Sequence, residues 1–310
     1  MKNLMSELEA RASEFENILE GFLPETSGSA SVVIDALRYS LKAGGKRLRP
    51  VILLETGRMY GARDAVLFPF AAALEMIHTY SLVHDDLPAM DNDEYRRGRK
   101  TTHIVYGEGM AVLAGDALLN LAFETALKAF HEIDRYPQEE TESFAGECRK
   151  VIRALGILAK NAGIDGMIGG QCADLCAEED PSSADAGSLL YIHEHKTGSM
   201  IESAFTIGAV LGGAPEEDVM ALSKAAMDVG TAFQIRDDIL DVEGEAEKLG
   251  KTPGSDVRDG KVTYVTLHGM DASAKEVDRL TDEALTALKG LRVRSDFLEQ
   301  LCIWLTSRDH

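Results

Sequence analysis

Apolar residues recur along this chain at intervals of three and four and almost nowhere at alternate positions, so the pattern predicts helices and scarcely any strand. Residues 32–42 read as a helix stopped by Gly44-Gly45, a C-terminal stop signal. Residues 65–87 read as a long apolar helix ended by Pro88, because proline disfavours the α conformation in the residue before it. Further helices are expected over 110–130, 141–161, 186–211, 215–242 and 272–288, and a last amphipathic one over 296–306. Breaks fall at Arg135-Tyr136-Pro137, at Asp180-Pro181-Ser182-Ser183 and over 250–260. None is long or biased enough for an interdomain linker. Residues 1–310 are therefore expected to form one all-α domain, without tandem repeats.

Composition narrows the function. A hydrophobic content of 45% suffices for a sizeable core. A net charge of −20 argues against nucleic acid, which needs a basic face, and against anionic lipid. Solubility is the plain account of that acidity. Cys148, Cys172, Cys176 and Cys302 lack the paired spacing of a zinc site, so free thiols in a reduced cytoplasm are expected. Glu7 and Glu9 interrupt any apolar signal core, and no uncharged run approaches ~18 apolar residues. A soluble cytoplasmic protein with no membrane insertion is the expectation.

Two acidic clusters carry the chemistry: Asp85-Asp86-Leu87-Pro88-Ala89-Met90-Asp91 and Asp237-Asp238-Ile239-Leu240-Asp241. Carboxylates this dense repel one another unless something positive sits among them. Hard cations such as Mg²⁺ take oxygen ligands, often one or two carboxylates plus substrate phosphates. Gln234, Asp237, Asp238 and Asp241 follow i, i+3, i+4, i+7 spacing and form one stripe of a helix. An acidic run is usually a solvated face, but these acids interrupt a core-like segment containing Ala232, Ile235, Ile239 and Leu240. Asp85 and Asp91 lie about 240° apart on an ideal helix, so the loop after Pro88 must carry Asp91 back over the helix end. His78 and Ser81 share the stripe of Asp85. A histidine there is as readily a satisfied core residue as a binding one.

Basic residues cluster near both motifs. Arg96-Arg97-Gly98 follows the first, and alone would read as a loop balancing its own acids. Gly44-Gly45-Lys46-Arg47-Leu48-Arg49-Pro50 could hold a diphosphate with backbone amides and side chains. His195-Lys196-Thr197-Gly198 offers a cation and a hydroxyl. Each signal is weak by itself.

Taken in order, these segments resemble the trans-isoprenyl diphosphate synthases: the Gly44–Pro50 turn, the first Asp motif with Arg96-Arg97-Gly98, Lys196-Thr197, Phe233-Gln234-Ile235-Arg236 leading into the second Asp motif, and Gly250-Lys251-Thr252. With four residues between its outer acids, the first motif is most similar to that of bacterial farnesyl diphosphate synthases. The resemblance runs from about residue 30 to 265. It implies a helical bundle around a deep central cavity, usually a homodimer, and two or three Mg²⁺ ions. Carried over by position, it implies that Asp85, Asp91 and Asp237 hold Mg²⁺ on an allylic diphosphate, supported by Asp86, Asp238 and Asp241. Arg96, Lys196, Gln234 and Lys251 would face the allylic substrate, with Thr197 and Lys261 nearby. Lys46, Arg49, His78 and Arg97 would hold isopentenyl diphosphate. Departures are Ser255 where lysine is frequent, Val265 where proline is common, and a Ser307-Arg308-Asp309-His310 tail less basic than many relatives carry.

The chemistry so implied is ionisation of the allylic diphosphate, attack by the isopentenyl double bond, and loss of a proton, with no protein nucleophile. In the family an aromatic residue five before the first motif halts chain growth, so Tyr80 favours farnesyl diphosphate. Ser81 is better aligned with Asp85 and is the alternative determinant of length. Competing readings are a geranylgeranyl diphosphate synthase, an ionising terpene cyclase, and a non-catalytic regulatory subunit. The basic set counts against the cyclase, and two intact Asp motifs count against the subunit.

Overall fold

In the computed structural model, which describes residues 2–134, 141–180, 185–243 and 262–308, the periodicity becomes an all-α fold. The described residues group into two compact units, Lys2–Gly156 with Val210–Gly213, and Ile157–Ala209 with Ala214–His310.

The first unit carries α1 (Lys2–Glu20), α2 (Ser31–Leu41), α3 (Leu48–Met59), α4 (Asp64–Asp85), a hairpin of β1 (Tyr95–Arg96) and β2 (Arg99–Lys100), α5 (Thr102–Tyr106), α6 (Glu108–Asp134) and the start of α7 (Thr141–Ala162). Its core forms around α4, where Phe70, Ala71, Ala72, Ala73, Leu74, Met76 and Ile77 are fully buried. Small residues let neighbours approach closely. Ala111, Ala114, Leu118, Ala122, Ala126 and Ala129 make one buried stripe of α6, which packs on α4. A Cβ on Gly115 would lie 2.1 Å from His84 Nε2. Helices α1 and α3 were not singled out by the periodicity. In α3, Val51, Ile52, Leu53 and Leu54 are all buried, so no polar face marks its phase.

The second unit carries α8 (Met167–Glu179), α9 (Ala186–Ile192), a π-helical segment (His193–Gly198), most of α10 (Ser199–Gly212), α11 (Glu216–Glu243), α12 (Tyr264–His268), α13 (Met270–Lys289) and α14 (Asp296–Ser307). Ala232, Ile235 and Ile239 of α11 form a core cluster with Val277 and Leu280 of α13.

Three local expectations change. The long helix ends at Asp85, not at residue 87, because Asp86 and Leu87 turn their amides onto Leu82 and His84 ahead of Pro88. The single helix expected over 186–211 is interrupted by the π segment, whose extra residue per turn displaces the side chains beyond it. Arg97-Gly98 is no loose loop. Both have positive φ, 52° and 74°, and they form the two-residue turn of the β1–β2 hairpin.

By length and composition alone, α4 and residues Glu108–Ile133 of α6 could cross a bilayer, a point the search for uncharged runs passed over. In α4, 78% of the apolar window is buried in protein, as in a core helix. The exposed face of α6 mixes Val112, Leu113 and Leu127 with Asp116, Asn120, Glu124 and Lys128.

Candidate active site

In the first unit, the turn after α4 does what the spacing requires. The Asp91 amide donates to the Asp85 carbonyl at 2.9 Å, and the Met90 and Asn92 amides donate to the Leu87 carbonyl. Asn92 takes a left-handed φ of 53° to close the turn. Backbone bonds thus return Asp91 to the end of the helix that bears Asp85. Asp86 points elsewhere. It is 4% exposed and accepts from Arg96 Nε at 2.5 Å, while Arg96 also reaches Asp93 at 3.3 Å. Burial raises the Asp86 carboxyl above its ordinary value, and Arg96 opposes that rise. The arginine assigned from the resemblance to the allylic substrate is here the partner of the second acid.

The glycine-basic turn and the hairpin, distant in sequence, meet in space. Arg97 donates through Nη1 to the Gly44 carbonyl, and a Cβ on Gly45 would collide with the Arg97 guanidinium. Gly45 itself has φ of 137°, so glycine is needed there for conformation and for room. Arg47, between Lys46 and Arg49, is 3% exposed and binds Glu16, Glu75 and the Leu41 carbonyl. Arg49 keeps a buried Nε without a hydrogen-bond partner among the described residues. His78 is held well below the ordinary histidine value by burial first, then by Arg49, Arg97, Arg47 and Arg96. It is therefore neutral at pH 7, a hydrogen-bonding group and not one of the cations. The structure thus gathers Arg49, His78 and Arg97. Lys46 stands exposed on the same turn.

In the second unit, the π segment presents Lys196 and Thr197. Its Gly198 Cα would lie 2.9 Å from a Cβ on Gly230 of α11, and a Cβ on Gly170 of α8 would lie 2.1 Å from the Lys196 amide nitrogen. The segment is thus clamped between two helices at glycine contacts. Thr197 Oγ1 donates to Gln234 Oε1, so two residues predicted to act together do touch. Lys196 Nζ donates to Asp174 Oδ2 at 2.5 Å. Asp174, 7% exposed on α8, escaped the sequence reading. The available signal was an acid four residues after the tight glycine pair Gly169-Gly170.

On α11, Gln234, Asp237, Asp238 and Asp241 are all half-buried beside buried Ala232, Ile235, Ile239 and Leu240, as the stripe predicted. Asp238 accepts the Tyr264 amide at 2.7 Å and lies 4.0 Å from His193 Nε2. Asp237 accepts from Arg308 Nη2. Arg308 is pinned in turn: its guanidinium lies 3.7 Å over the Phe233 ring, and its carbonyl accepts from Arg236 Nε at 2.8 Å. A single tail arginine thus reaches the second motif despite the tail's low basicity. Lys251 and Lys261 lie outside the described residues.

Among the described residues, no three of His, Cys, Asp and Glu stand close enough to hold a metal by themselves. The donors fit Mg²⁺ all the same. They are hard carboxylate oxygens, and Mg²⁺ keeps waters and substrate phosphates in its shell in place of an all-protein cage.

A family model described as polyprenyl synthetase matches residues 30–291. The chain belongs to the polyprenyl synthetase family. It is a prenyltransferase. It is 43% identical to a farnesyl diphosphate synthase of Geobacillus stearothermophilus, over 95% of this chain and 94% of that one. It is 41% identical to a geranylgeranyl diphosphate synthase of Cyanophora paradoxa, over 91% of this chain and 89% of that one. Among solved structures, an FPP/GFPP synthase from Zymomonas mobilis is similar with a TM-score of 0.83 and 30% identity, covering 98% and 99% of the two chains. The five sequence segments therefore marked the family correctly.

Proposed function

We propose that the protein is a farnesyl diphosphate synthase, acting as one catalytic domain over residues 1–310, that adds isopentenyl diphosphate to dimethylallyl and then geranyl diphosphate. The observation that carries this reading is the joined cradle of Arg49, His78 and Arg97 against the Gly44-Gly45 turn, in the same unit as the first Asp motif. A prenyl-chain elongase needs two diphosphate sites, whereas a cyclase needs one. The Arg49 guanidinium, whose buried Nε has no partner among the described residues, and the exposed Arg97 beside it suit a polyanion, since arginine forks match phosphate oxygens.

Asp85, Asp91 and Asp237 would hold Mg²⁺, supported by Asp86, Asp238 and Asp241. When bound, the metal neutralises the allylic diphosphate so that its C–O bond can break. Lys196, Thr197, Gln234 and Arg96 orient that diphosphate, with Lys251 and Lys261 assigned to the same task. Lys46, Arg49, His78 and Arg97 hold isopentenyl diphosphate so that its double bond meets the allylic carbon. Much of the acceleration then comes from placement. The C–O bond breaks first, the isopentenyl double bond then forms the C–C bond to the allylic cation, and the proton lost from the isopentenyl unit passes to the departing diphosphate. The reading extends to a cytoplasmic homodimer, for which the exposed Val112, Leu113 and Leu127, set among the polar residues of α6, offer apolar contacts.

Incubation with Mg²⁺, dimethylallyl diphosphate and labelled isopentenyl diphosphate should yield farnesyl diphosphate. A geranylgeranyl product would transfer the assignment to the C20 enzyme, and a cyclic hydrocarbon would overturn it.

The two substrates should separate by mutation. Arg97→Ala or Lys46→Ala should raise the KM for isopentenyl diphosphate about ten- to hundredfold, the worth of a charge-assisted hydrogen bond, with a much smaller change for geranyl diphosphate. Lys196→Ala should do the reverse. Equal shifts for both substrates in every variant would remove the assignment.

Asp174 extends the allylic set by holding the Lys196 ammonium in place. Asp174→Asn should lower kcat/KM for geranyl diphosphate about tenfold or more while leaving the KM for isopentenyl diphosphate within about twofold. Steady-state kinetics with each substrate varied in turn check this, and an unchanged kcat/KM would show that Lys196 needs no such partner.

A further inference from the structure

Three arginines of the first unit, Arg47, Arg49 and Arg97, are brought together at the cost of mutual repulsion. Arg97 depresses Arg49, and Arg47 and Arg96 depress Arg97. One carboxylate opposes all of them. Glu75 is 2% exposed, accepts from Arg47 Nη1 at 2.6 Å, and exerts the strongest attraction felt by Arg47, Arg49 and Arg97 alike. It sits on α4 three residues before His78, so the two share a face of the helix. We propose that Glu75 is a positioning residue for the isopentenyl diphosphate site, acting through Arg47 to set where Lys46, Arg49 and Arg97 stand. The proposal rests on the reading of that cradle given above.

The local geometry explains how it acts. Arg47 is the residue before α3 and has a left-handed φ of 49°, a conformation that costs a side-chain-bearing residue. It persists because the guanidinium is fastened at three points: Glu75 in the core, Glu16 on α1 and the Leu41 carbonyl at the end of α2. Lys46 precedes it, and Arg49 lies in the first turn of the helix it starts. The direction of both therefore follows from the placing of Arg47. The same turn supplies the Gly44 carbonyl that accepts from Arg97. Of the two acids on Arg47, only Glu75 is deeply buried, its side chain 3% exposed against 42% for Glu16.

Two ways for Glu75 to act predict opposite signs. A carboxylate that merely dilutes positive charge would weaken diphosphate binding, and its removal would lower the KM. A carboxylate that sets geometry would strengthen binding, and its removal or retraction would raise the KM. Glu75→Gln and Glu75→Asp should each raise the KM for isopentenyl diphosphate about tenfold, with the KM for geranyl diphosphate within about twofold and a smaller loss of kcat. The Asp variant keeps the charge and retracts it by one methylene, so it reports on placement even if the Gln variant does not fold. A KM for isopentenyl diphosphate that stays level or falls overturns the proposal. So does failure of both variants to give folded protein by circular dichroism, the mark of a role in stability alone. Wild-type protein that takes no isopentenyl diphosphate would sink the functional reading itself, a result separable from any behaviour of the variants.

Discussion

Asp85→Ala and Asp237→Ala are each expected to lower turnover by about a thousandfold or more while the protein stays folded. Stabilising the departing diphosphate is worth several kcal/mol, and each 1.36 kcal/mol is tenfold in rate. The fold should survive for different reasons at the two positions. At Asp85, the turn is closed by the backbone carbonyl accepting from the Asp91 amide, and alanine keeps that bond. At Asp237, the side chain is 43% exposed, and losing a partly exposed ion pair with Arg308 costs about 1 kcal/mol or less. Single-turnover kinetics with a melting curve for each variant check both halves of the expectation. A wild-type rate in both, or full activity in EDTA, would remove the carboxylates from the chemistry.

Tyr80→Ala is expected to change the product itself, from C15 towards C20 or longer. The ring is 5% exposed, and its hydroxyl is buried without a hydrogen-bond partner among the described residues. Burial, with Asp85 adding, pushes the phenol up to about 12. The ring therefore lies in apolar surroundings within electrostatic reach of the first motif, where a growing chain would end. It meets His84 edge-on at 5.8 Å, and His84 packs on Gly115 of α6. Sequence left Ser81 as the alternative. The Ser81 hydroxyl donates to the His78 carbonyl of its own helix at 2.9 Å, and no large side chain there closes a floor. Removing the Tyr80 ring should cost roughly 3–5 kcal/mol of stability through the cavity left behind. Tyr80→Phe should keep both the ring and the C15 product. Chromatography of the dephosphorylated alcohols decides it, and an unchanged C15 product from the alanine variant would take Tyr80 off the floor.

Much of this site was legible in the sequence because its physics is local. The α11 stripe follows from helical spacing, and the return of Asp91 over Asp85 follows from a proline in the right place. The resemblance assigned Thr197 and Gln234 to one substrate, and the hydrogen bond between them emerged only in the structure. What stayed hidden depends on pairs far apart in the chain. Asp174 meets Lys196 through the packing of α8 on the π segment, and it is one of three acids in residues 167–179, marked off from Glu178 and Glu179 only by the glycine pair before it. Glu75 reads as one polar residue in an apolar helix until Arg47 arrives from another element. The π segment itself is invisible to a search at 3.6 residues per turn, since it differs by a single residue from the helix on either side. His78 shows a further limit. Its stripe set it on the face of α4 that leads to Asp85, but its neutrality comes first from burial and then from four arginines that no spacing rule brings together.

The contact between Gly198 and Gly230 bears on how such a protein can evolve. A Cβ on Gly230 would lie 2.9 Å from the Gly198 Cα, so Gly230 admits no side chain without moving α11 against the segment that carries Lys196 and Thr197, whereas a Cβ on Gly198 would meet the flexible end of Met227 at 3.2 Å. Drift at Gly230 is closed to the lineage, and the contact that seats Lys196 and Thr197 is inherited nearly as a fixed part. The Tyr80 position on α4 is restricted differently, because a smaller residue meets no collision and the cost is the stability lost to a cavity. New product lengths should thus arise by trimming or refilling α4, leaving the inherited chemistry intact.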